Sequence, residues 1–303
     1  MSLRIAYLGV VLIWSTTPLA IQWSSESAGY LFGVTARMLL GMVAVYLILY
    51  FIRQKLPLHQ RAVSTYLVSG AGIYTAMTCV YWAAQHIPSG WISVVFGLSP
   101  IITGIMAVLI LREDTLPFHK IAGMVLGFTG LVVIFGNSMN TGDKLLYGIT
   151  AVLAGTTFHS LSAVMVKRIN AGLSGFASTA GGLSFAAPLF LLTWIFSEND
   201  FPVEISTRTL YAIIYLGVIA SAIGFAMYYY ILSRMDVSRV SLITLITPVC
   251  ALGLGNLLNG EPVSHLVITG TGFILSGLLF FEYGHKLVSI PVDPNDANTD
   301  QTE

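Results

Sequence analysis

The sequence predicts an all-α membrane protein with ten transmembrane helices in two inverted repeats of five helices. Three observations lead to this fold class: the composition, the number and length of the apolar runs, and an internal repeat. Of the 303 residues, 55% are hydrophobic and only 9% are charged, with a mean hydropathy of +0.81. A soluble globular domain usually carries about 25% charged residues. The composition therefore indicates a protein that is solvated by a lipid bilayer.

The net charge and the cysteine content exclude several classes of function. The formal net charge is +0, so no excess of basic residues is available to bind nucleic acid. Cys79 and Cys250 both lie in apolar runs, and they form neither a disulfide framework nor a CxxC motif. The chain also lacks the GxxxxGK[ST] motif of ATP-binding proteins. We expect no metal, no cofactor and no nucleic-acid partner.

Ten apolar runs are long enough to cross the bilayer as helices. The hydrocarbon core is about 30 Å thick and a helix rises about 1.5 Å per residue, so one crossing takes about 20 apolar residues. A membrane barrel would instead need alternating strands of about ten residues. The predicted spans are Arg4 to Gln22, Tyr30 to Ile52, Ala62 to His86, Ser89 to Leu111, Phe118 to Gly136, Tyr147 to Val166, Phe176 to Phe196, Leu210 to Ser233, Val237 to Leu258 and Ser264 to Tyr283.

Basic residues are distributed unevenly between the two sides of these spans. With the N-terminus inside, eleven of the 14 Lys and Arg fall in cytoplasmic segments, Lys144 and Arg208 fall outside, and Arg37 lies within the second span. This bias predicts that both termini lie in the cytoplasm. We expect the protein to be located in the inner (plasma) membrane of a bacterium. Residues 287–303 are polar and contain two prolines, so we expect a disordered cytoplasmic tail.

Two segments of the chain resemble each other at a shift of 148 residues. Aligning Tyr81–Glu113 with Tyr229–Glu261 places Ser99-Pro100 on Thr247-Pro248. The repeat predicts two halves of five spans each, a first half over residues 4–137 and a second half over residues 146–286. Because five is odd, the second half must run through the membrane in reverse. Transporters with such an inverted repeat bind their solute near the midplane, between the halves.

The first span contains a polar stretch, Trp14-Ser15-Thr16-Thr17-Pro18. Pro18 has no backbone N–H, which leaves the carbonyl of Trp14 without its helical partner. A free carbonyl at this depth is tolerated only against protein or a wet cavity. We therefore expect Trp14, Ser15 and Thr17 to contact a solute, with Pro18 as a hinge. The alternative is a packed kink whose hydroxyls bond to the backbone one turn earlier.

Arg37 is the one basic residue well inside a span. A charge at the centre of the bilayer costs at least about 2.5 kcal/mol, so it usually faces a cavity or a partner. The sequence places no carboxylate at a similar depth. Arg37 is therefore a candidate to bind a carboxylate or phosphate group of a solute with two parallel hydrogen bonds. The alternatives are that it extends outward to water or binds helix carbonyls.

The third span carries Tyr74, Thr78 and Tyr81 on one helical face, because they are four and three residues apart. The eighth span contains three consecutive tyrosines that include Tyr229. Aromatic rings with polar tips suit a cavity for a partly apolar, partly polar solute. We include Tyr74, Thr78, Tyr81 and Tyr229 among the candidate contacts. The alternative for those near span ends is an aromatic belt at the membrane interface.

Pro100 and Pro248 lie within the fourth and ninth spans, at matching positions of the repeat. Paired interruptions at corresponding positions indicate the binding site of a transporter. We predict that both prolines act as hinges, like Pro18, with plain structural kinks as the alternative.

His159 lies near the middle of the sixth span. It is the only side chain near the midplane that titrates close to neutral pH. Solute contact or proton coupling is one interpretation, and a neutral core histidine bonded to a hydroxyl is the other. Ser15 with His159 would be the only pair for a membrane-embedded enzyme, and it lacks a carboxylate to orient the imidazole.

The fifth and tenth spans are rich in glycine, with Gly123, Gly127, Gly270, Gly272 and Gly277. Glycines at such spacing permit close contact between helices. We expect a monomer in which they serve internal packing, with a homodimer through these two spans as the alternative.

The chain is identified by these motifs as similar to a known family. The LIWSTTPLAI first span, Arg37 early in the second, Ser99-Pro100 followed by LILRED, and Thr247-Pro248 followed by LLNGE resemble the EamA branch of the drug/metabolite transporter superfamily. The resemblance covers residues 4 to about 286 and implies a transport protein with this fold. Proteins of this type resemble exporters or exchangers of amino acids and other small metabolites.

The sequence thus predicts a secondary transporter that is not an enzyme. We expect it to export or exchange a small organic metabolite, such as an amino acid, by alternating access. The partners are the lipid bilayer and the solute. The alternatives are the membrane-embedded enzyme with Ser15 and His159, a channel, and a structural membrane subunit.

Overall fold

The computed structural model describes residues 2–111, 117–138, 143–197, 201–241 and 243–288. Every regular element within these ranges is a helix. The helices are α1 Leu3–Ser25, α2 Tyr30–Phe51, α3 Gln60–Ala83, α4 Ser89–Leu111, α5 Phe118–Ser138, α6 Asp143–Ile169, α7 Gly175–Ser197, α8 Thr207–Leu232, α9 Val237–Ser241, α10 Ile243–Asn259 and α11 His265–Val288.

The helices confirm the predicted all-α membrane fold. Seven of them, α1 to α4 and α6 to α8, are long and apolar enough to cross a membrane. Shorter apolar stretches lie within α5 and α11, and α9 with α10 occupies the position of the ninth predicted span. The count of ten crossings stays a prediction. Large apolar side chains such as Leu12, Leu109 and Phe196 are exposed on the outside of the bundle, where lipid tails solvate them.

The helix ends differ from the predicted spans by a few residues. The last helix continues to Val288 and so includes the first two residues of the predicted tail. The rest of that tail lies outside the described residues, and so does Glu113 of the repeat alignment.

Two helices change geometry along their length. In α4, a helical segment ends at Phe96, a turn at Gly97 and Leu98 follows, and a second segment begins at Ser99 with Pro100 in its first turn. Pro100 fits there because the first turn of a helix does not need its missing N–H. In α8, residues Tyr215–Gly224 form a π-helix. Such wide turns occur mostly as short insertions, frequently at functional sites.

Helices of the two halves pack against each other around α1. Helix α1 contacts α2 and α4 of the first half and α8 and α10 of the second half. Helix α2 also packs against α7 and α8, and α3 packs against α6 and α7. A space enclosed by α1 is therefore lined by side chains from both halves.

The glycines of α5 and α11 bring these two helices into backbone contact. A Cβ atom on Gly123 would lie 2.5 Å from the carbonyl oxygen of Gly277, and one on Gly130 would lie 2.4 Å from that of Gly270. These positions serve internal packing. A Cβ on Gly272 would meet nothing within 4 Å, so this glycine is not used in the same contact. The expected monomer, with a homodimer as the alternative, stays a prediction.

Candidate functional site

A central cavity lies between the two halves, with α1 along one side. It offers ≈ 70 Å³ to the centres of water-sized molecules, which is room for several waters or part of a small solute. Helices of both halves contribute to its wall. The lining residues are Trp14, Thr17, Pro18, Ile21, Arg37, Met77, Val80, Ile92, Ser93, Phe96, His159, Phe225, Thr244 and Thr247.

The polar stretch of α1 forms one side of this cavity. Three consecutive hydroxyls donate to carbonyls of the preceding turn: Ser15 to Val11 at 2.7 Å, Thr16 to Ile13 at 2.9 Å and Thr17 to Ile13 at 2.7 Å. Such bonds satisfy the hydroxyls in an apolar environment and bend the helix. Trp14, Thr17 and Pro18 nevertheless line the cavity. The stretch thus has both the internal hydrogen bonds of a kink and a face on the cavity.

Arg37 reaches the cavity from α2 and is 2% exposed. Its Nε donates to the Oγ of Ser221 at 2.9 Å, and its Nη1 lies 3.8 Å from the Sδ of Met77. The guanidinium also lies 5.9 Å from the centre of the Tyr81 ring. The ion pairs among the described residues are Arg208 with Glu26 and Arg239 with Asp236, so Arg37 forms none there. Burial rules out the outward extension considered above, and among the described residues the guanidinium donates to no backbone carbonyl.

An aromatic cluster of Trp14, Phe96, His159 and Tyr228 borders the cavity. The centre of the His159 ring lies 5.6 Å from Trp14, 6.1 Å from Phe96 and 5.3 Å from Tyr228. The Trp14 and Tyr228 rings are 5.1 Å apart. Among the described residues, His159 makes ring contacts and no hydrogen bond. The interpretation of His159 as a core histidine bonded to a hydroxyl therefore finds no hydroxyl partner among these residues. The neighbouring Ser160 approaches Ser99 instead, at 3.3 Å.

A second, larger cavity lies at the opposite side of the aromatic cluster. This Lys167 cavity measures ≈ 330 Å³ and is bordered by the ends of α6 and α8 and the start of α7. Tyr229 lines it, and Tyr229 also lines a space of ≈ 10 Å³ beside His159. Lys167 donates to the carbonyls of Leu232 and Met235 at 3.1 and 2.7 Å, which satisfies the end of α8.

The other end of the bundle is closed by a polar network around Glu261. We call Gln22, Gly90, Asn259 and Glu261 the Glu261 network. The Glu261 carboxylate accepts from the backbone N–H of Gly90 at 3.2 Å and from the amide of Asn259 at 3.1 Å. Asn259 also donates to Gln22 at 3.2 Å, and Gln22 donates to the carbonyl of Ile87 at 2.9 Å. The network joins the end of α1 to α4 and to the loop after α10.

Besides Tyr229, four predicted contact residues lie off the central cavity. Ser15 is buried and bonded to Val11, and Tyr74 bonds to Thr193 at 2.7 Å. Thr78 donates to the carbonyl of Tyr74 at 2.7 Å, and Tyr81 is fully buried beneath Arg37. The structure therefore brings together Trp14, Thr17, Pro18, Arg37 and His159 of the predicted set, with Tyr229 on the next cavity.

The two remaining predicted hinges lie beside the cavity wall. Pro100 is buried just after the turn in α4, and Pro248 is buried inside α10. The turn in α4 adjoins Pro248, because a Cβ on Gly97 would lie 3.6 Å from the Cγ of Pro248. A hinge role for either proline stays a prediction.

Several residues of the site were missed in the sequence. Phe96 and Phe225 are aromatic residues in apolar runs, and their sequence context gives no signal. Tyr228 carried a signal, because it is one of the three consecutive tyrosines of the eighth span. Ser93 and Thr247 did carry one, since both fall within the repeated segments. Ser221 carried none, because its partner Arg37 is 184 residues away.

The geometry determines what the cavity can do chemically. It presents one guanidinium, a few hydroxyls and several aromatic rings, which suits a small solute with an anionic group and an apolar part. Among the described residues, no group of three His, Cys, Asp or Glu side chains is placed to hold a metal ion.

Known proteins match the chain over most of its length. An uncharacterized transporter of Bacillus subtilis, YoaV, is 25% identical over 89% of this chain and 93% of its own. The S-adenosylmethionine/S-adenosylhomocysteine transporter of Chlamydia trachomatis is 26% identical over 91% of this chain and 89% of its own. A probable terminal-alkyne amino-acid exporter of Streptantibioticus cattleyicolor is 24% identical over 70% of each chain.

A solved structure shows the same fold. A protein of known crystal structure, 18% identical, superposes with a TM-score of 0.71 over 94% of this chain and 99% of that one. The sequence profile of the EamA-like transporter family matches residues 3–136 and 146–283. The chain therefore belongs to the EamA-like transporter family and is an integral membrane transporter of the drug/metabolite type.

Proposed function

We propose that this protein is a secondary transporter for a small organic solute with a carboxylate, such as an amino acid or a related metabolite. The observation that carries the proposal is the central cavity, where Arg37 is 2% exposed and has no acidic partner among the described residues. A buried charge without a counter-ion is costly in a membrane. A solute carboxylate would supply the missing counter-ion and accept two parallel hydrogen bonds from the guanidinium.

Alternating access is supported by the unequal ends of the bundle. The Glu261 network ties the end of α1 to α4 and to the loop after α10, while the opposite end contains the Lys167 cavity. The distribution of Lys and Arg assigns the Lys167 end to the cytoplasm and the Glu261 end to the outside. This conformation then faces inward, with the aromatic cluster between the solute site and the cytoplasmic cavity.

Export or exchange in the bacterial inner membrane is the direction we propose. It is supported by the printed functions of two relatives, a probable amino-acid exporter and an S-adenosylmethionine/S-adenosylhomocysteine transporter. Both names describe solutes that contain an amino-acid group.

The described lining of the central cavity contains no Asp or Glu. The carboxylate relay by which many transporters couple to protons is therefore missing from that wall. We propose facilitated export or exchange that needs no proton gradient, with His159, the one histidine of the described lining, as the candidate proton site.

No observation favours the alternative of a membrane-embedded enzyme. The Ser15 hydroxyl donates to Val11 rather than to His159, and Ser15 does not line the cavity. A nucleophile requires a base within hydrogen-bond reach. The family is a transporter family, in agreement with this geometry.

The solute can be identified in two steps. Metabolites in the medium and in cells with and without the protein are compared first, and the solutes that differ are then tested for exchange in proteoliposomes. We expect carboxylated solutes, and we expect equal rates with and without a pH gradient. Uphill transport that a protonophore abolishes would contradict the proposed mechanism. Exchange that is equally fast in empty liposomes would contradict transport itself.

A further inference from the structure

The guanidinium of Arg37 has donors that the described protein does not use. It carries five N–H donors. Nε donates to Ser221 at 2.9 Å, whereas Nη1 reaches only the Met77 sulfur at 3.8 Å, and a thioether is a weak acceptor. The side chain lines the central cavity. The Nη side is therefore available to a solute, while the Nε side is held by a hydroxyl.

Ser221 reaches Arg37 because α2 and α8 approach each other closely. A Cβ on Gly41 would lie 2.8 Å from the Cβ of Ser221, and a Cβ on Gly217 would lie 3.1 Å from the carbonyl oxygen of Arg37. The glycines at these two positions allow the approach, and a Cβ on Gly217 would also lie 2.7 Å from the Cβ of Leu40. Ser221 itself is fully buried and lies in the π-helix of α8, where the wider turn changes the face on which side chains emerge.

We propose that Ser221 is a positioning residue that orients Arg37 for recognition of a solute carboxylate. A guanidinium is planar, so fixing Nε by one hydrogen bond limits the direction in which both Nη atoms point. A carboxylate binds to two parallel donors of a guanidinium only when the two planes match. This inference rests on the proposed transport function, because it assigns a role within the same solute site.

The bond between Arg37 and Ser221 also connects the two halves. Arg37 belongs to α2 of the first half and Ser221 to α8 of the second half. When the halves move relative to each other in the transport cycle, the distance between the Nε of Arg37 and the Oγ of Ser221 changes. The orientation that favours the carboxylate is thus a property of one arrangement of the halves, and its loss in another arrangement favours release.

The first test measures exchange of radiolabelled L-methionine in proteoliposomes, in parallel with the amine that lacks its carboxylate. For Ser221→Ala we expect the half-saturating concentration of methionine to rise about fivefold or more at a nearly unchanged maximal rate. The half-saturating concentration of Ser221→Cys should lie between those of the wild type and Ser221→Ala, because sulfur is a weaker acceptor than oxygen. The exchange rate of the amine should be the same in the wild type and in both Ser221 variants. Thr129→Ala, which removes an exposed hydroxyl bonded within its own helix, is the matched control.

The second test needs no solute. In protein labelled with ¹⁵N-arginine, the Nε–H of Arg37 is assigned with Arg37→Lys, and its exchange with water is measured by NMR in detergent. We expect slow exchange in the wild type and exchange at least about tenfold faster in Ser221→Ala, because the buried hydrogen bond is lost. If the Nε–H of Arg37 exchanges with water as slowly in Ser221→Ala as in the wild type, the proposal is overturned, whatever the transport result.

The two tests separate failure of the inference from failure of the proposed function. Equal methionine kinetics in Ser221→Ala and wild type overturn the positioning role and leave transport intact. If the wild type exchanges no carboxylated solute, the proposed function fails and the carboxylate role fails with it. The NMR measurement then still decides whether the bond between Arg37 and Ser221 exists. Should Ser221→Ala not fold, as judged by size-exclusion chromatography, Ser221→Cys supplies both readouts.

Discussion

At the scale of single residues, Arg37 dominates the energetics of the site. It is 2% exposed and lies inside a helix long enough to span the bilayer, where a charge costs at least about 2.5 kcal/mol. Its hydrogen bond to Ser221 and its contact with the Tyr81 ring offset part of this cost. The remaining donors are satisfied best when an anion enters the cavity.

Replacing Arg37 separates solute binding from folding. Arg37→Gln should raise the half-saturating concentration of a carboxylated solute about tenfold to a hundredfold, since a hydrogen bond to a charged group contributes about 1.5–3 kcal/mol. The yield of folded protein should not fall, because a buried charge is removed. Exchange assays with purified protein measure the first effect and size-exclusion profiles the second. Arg37→Lys keeps the charge without the planar fork and should be intermediate; a wild-type value for both variants contradicts the role.

The aromatic cluster gives a second prediction at this scale. Trp14→Ala and His159→Ala should each reduce transport severalfold without lowering the folded yield, since each removes a ring that borders the cavity. Exchange rates per folded protein are the measurement. Trp82→Ala is the control, because Trp82 packs on His86 away from the cavity. Normal rates in both cluster variants would remove Trp14 and His159 from the site.

At the scale of helices, the end of α1 is held by polar contacts from three directions. The Glu261 network joins it to α4 and to the loop after α10, and Glu26 pairs with Arg208 of α8 at 2.6 Å. Glu261 is only 8% exposed, so its hydrogen bonds form away from bulk water and are stronger for it. Opening this end requires these bonds to break together.

Weakening the Glu261 network should open the cavity to the outside. In a variant without Cys79 and Cys250, a cysteine introduced at Thr17 reports access to the central cavity. With Glu261→Ala added, a membrane-impermeant thiol reagent applied outside should react several times faster, because the hydrogen bonds that close this end are lost. The labelling rate in intact cells is the measurement.

The control for this experiment is Glu204→Gln. Glu204 is an exposed acid at the same end of the bundle and outside the network, so its removal changes the charge without freeing α1. Equal labelling rates in the Glu261 and Glu204 variants would show that the network does not close the cavity.

The glycine contacts of α5 and α11 give a prediction about stability. Gly123→Ala and Gly277→Ala should each lower the apparent melting temperature in detergent by several degrees, because the added methyl meets backbone atoms at 2.5–2.6 Å and overpacking typically costs about 1–3 kcal/mol. Gly272→Ala should not, because its Cβ meets nothing within 4 Å. If all three variants melt alike, these helices do not depend on the close contact.

At the scale of the whole molecule, the charges in the loops predict the orientation in the membrane. Eleven of the 14 Lys and Arg lie on the side that we assign to the cytoplasm. Reporters fused to each end of the chain, one active only in the cytoplasm and one only outside, should both indicate the cytoplasm. Ends on opposite sides of the membrane would contradict the even number of crossings and the inverted arrangement of the halves.

The sequence alone gave the family and most helix positions, for a clear physical reason. A bilayer requires about 20 consecutive apolar residues per crossing, and this requirement can be read along the chain without any knowledge of packing. The interruption of α4 before Pro100 was also readable, because proline removes a backbone donor wherever the helix is placed. Trp14, Thr17, Arg37 and His159 stood out as polar or bulky exceptions within apolar runs, and the cavity contains all four.

Which faces of the helices meet at the cavity was decided only by the tertiary structure. In a membrane both the lipid side and the packed side of a helix are apolar, so the periodicity that marks a buried face in a soluble protein is weak. Tyr74 and Thr78 therefore appeared to be cavity residues although they bond within the wall. The partnership of Arg37 with Ser221 and the burial of Glu261 against Gly90 join residues more than 170 positions apart, and only folding brings such residues into contact.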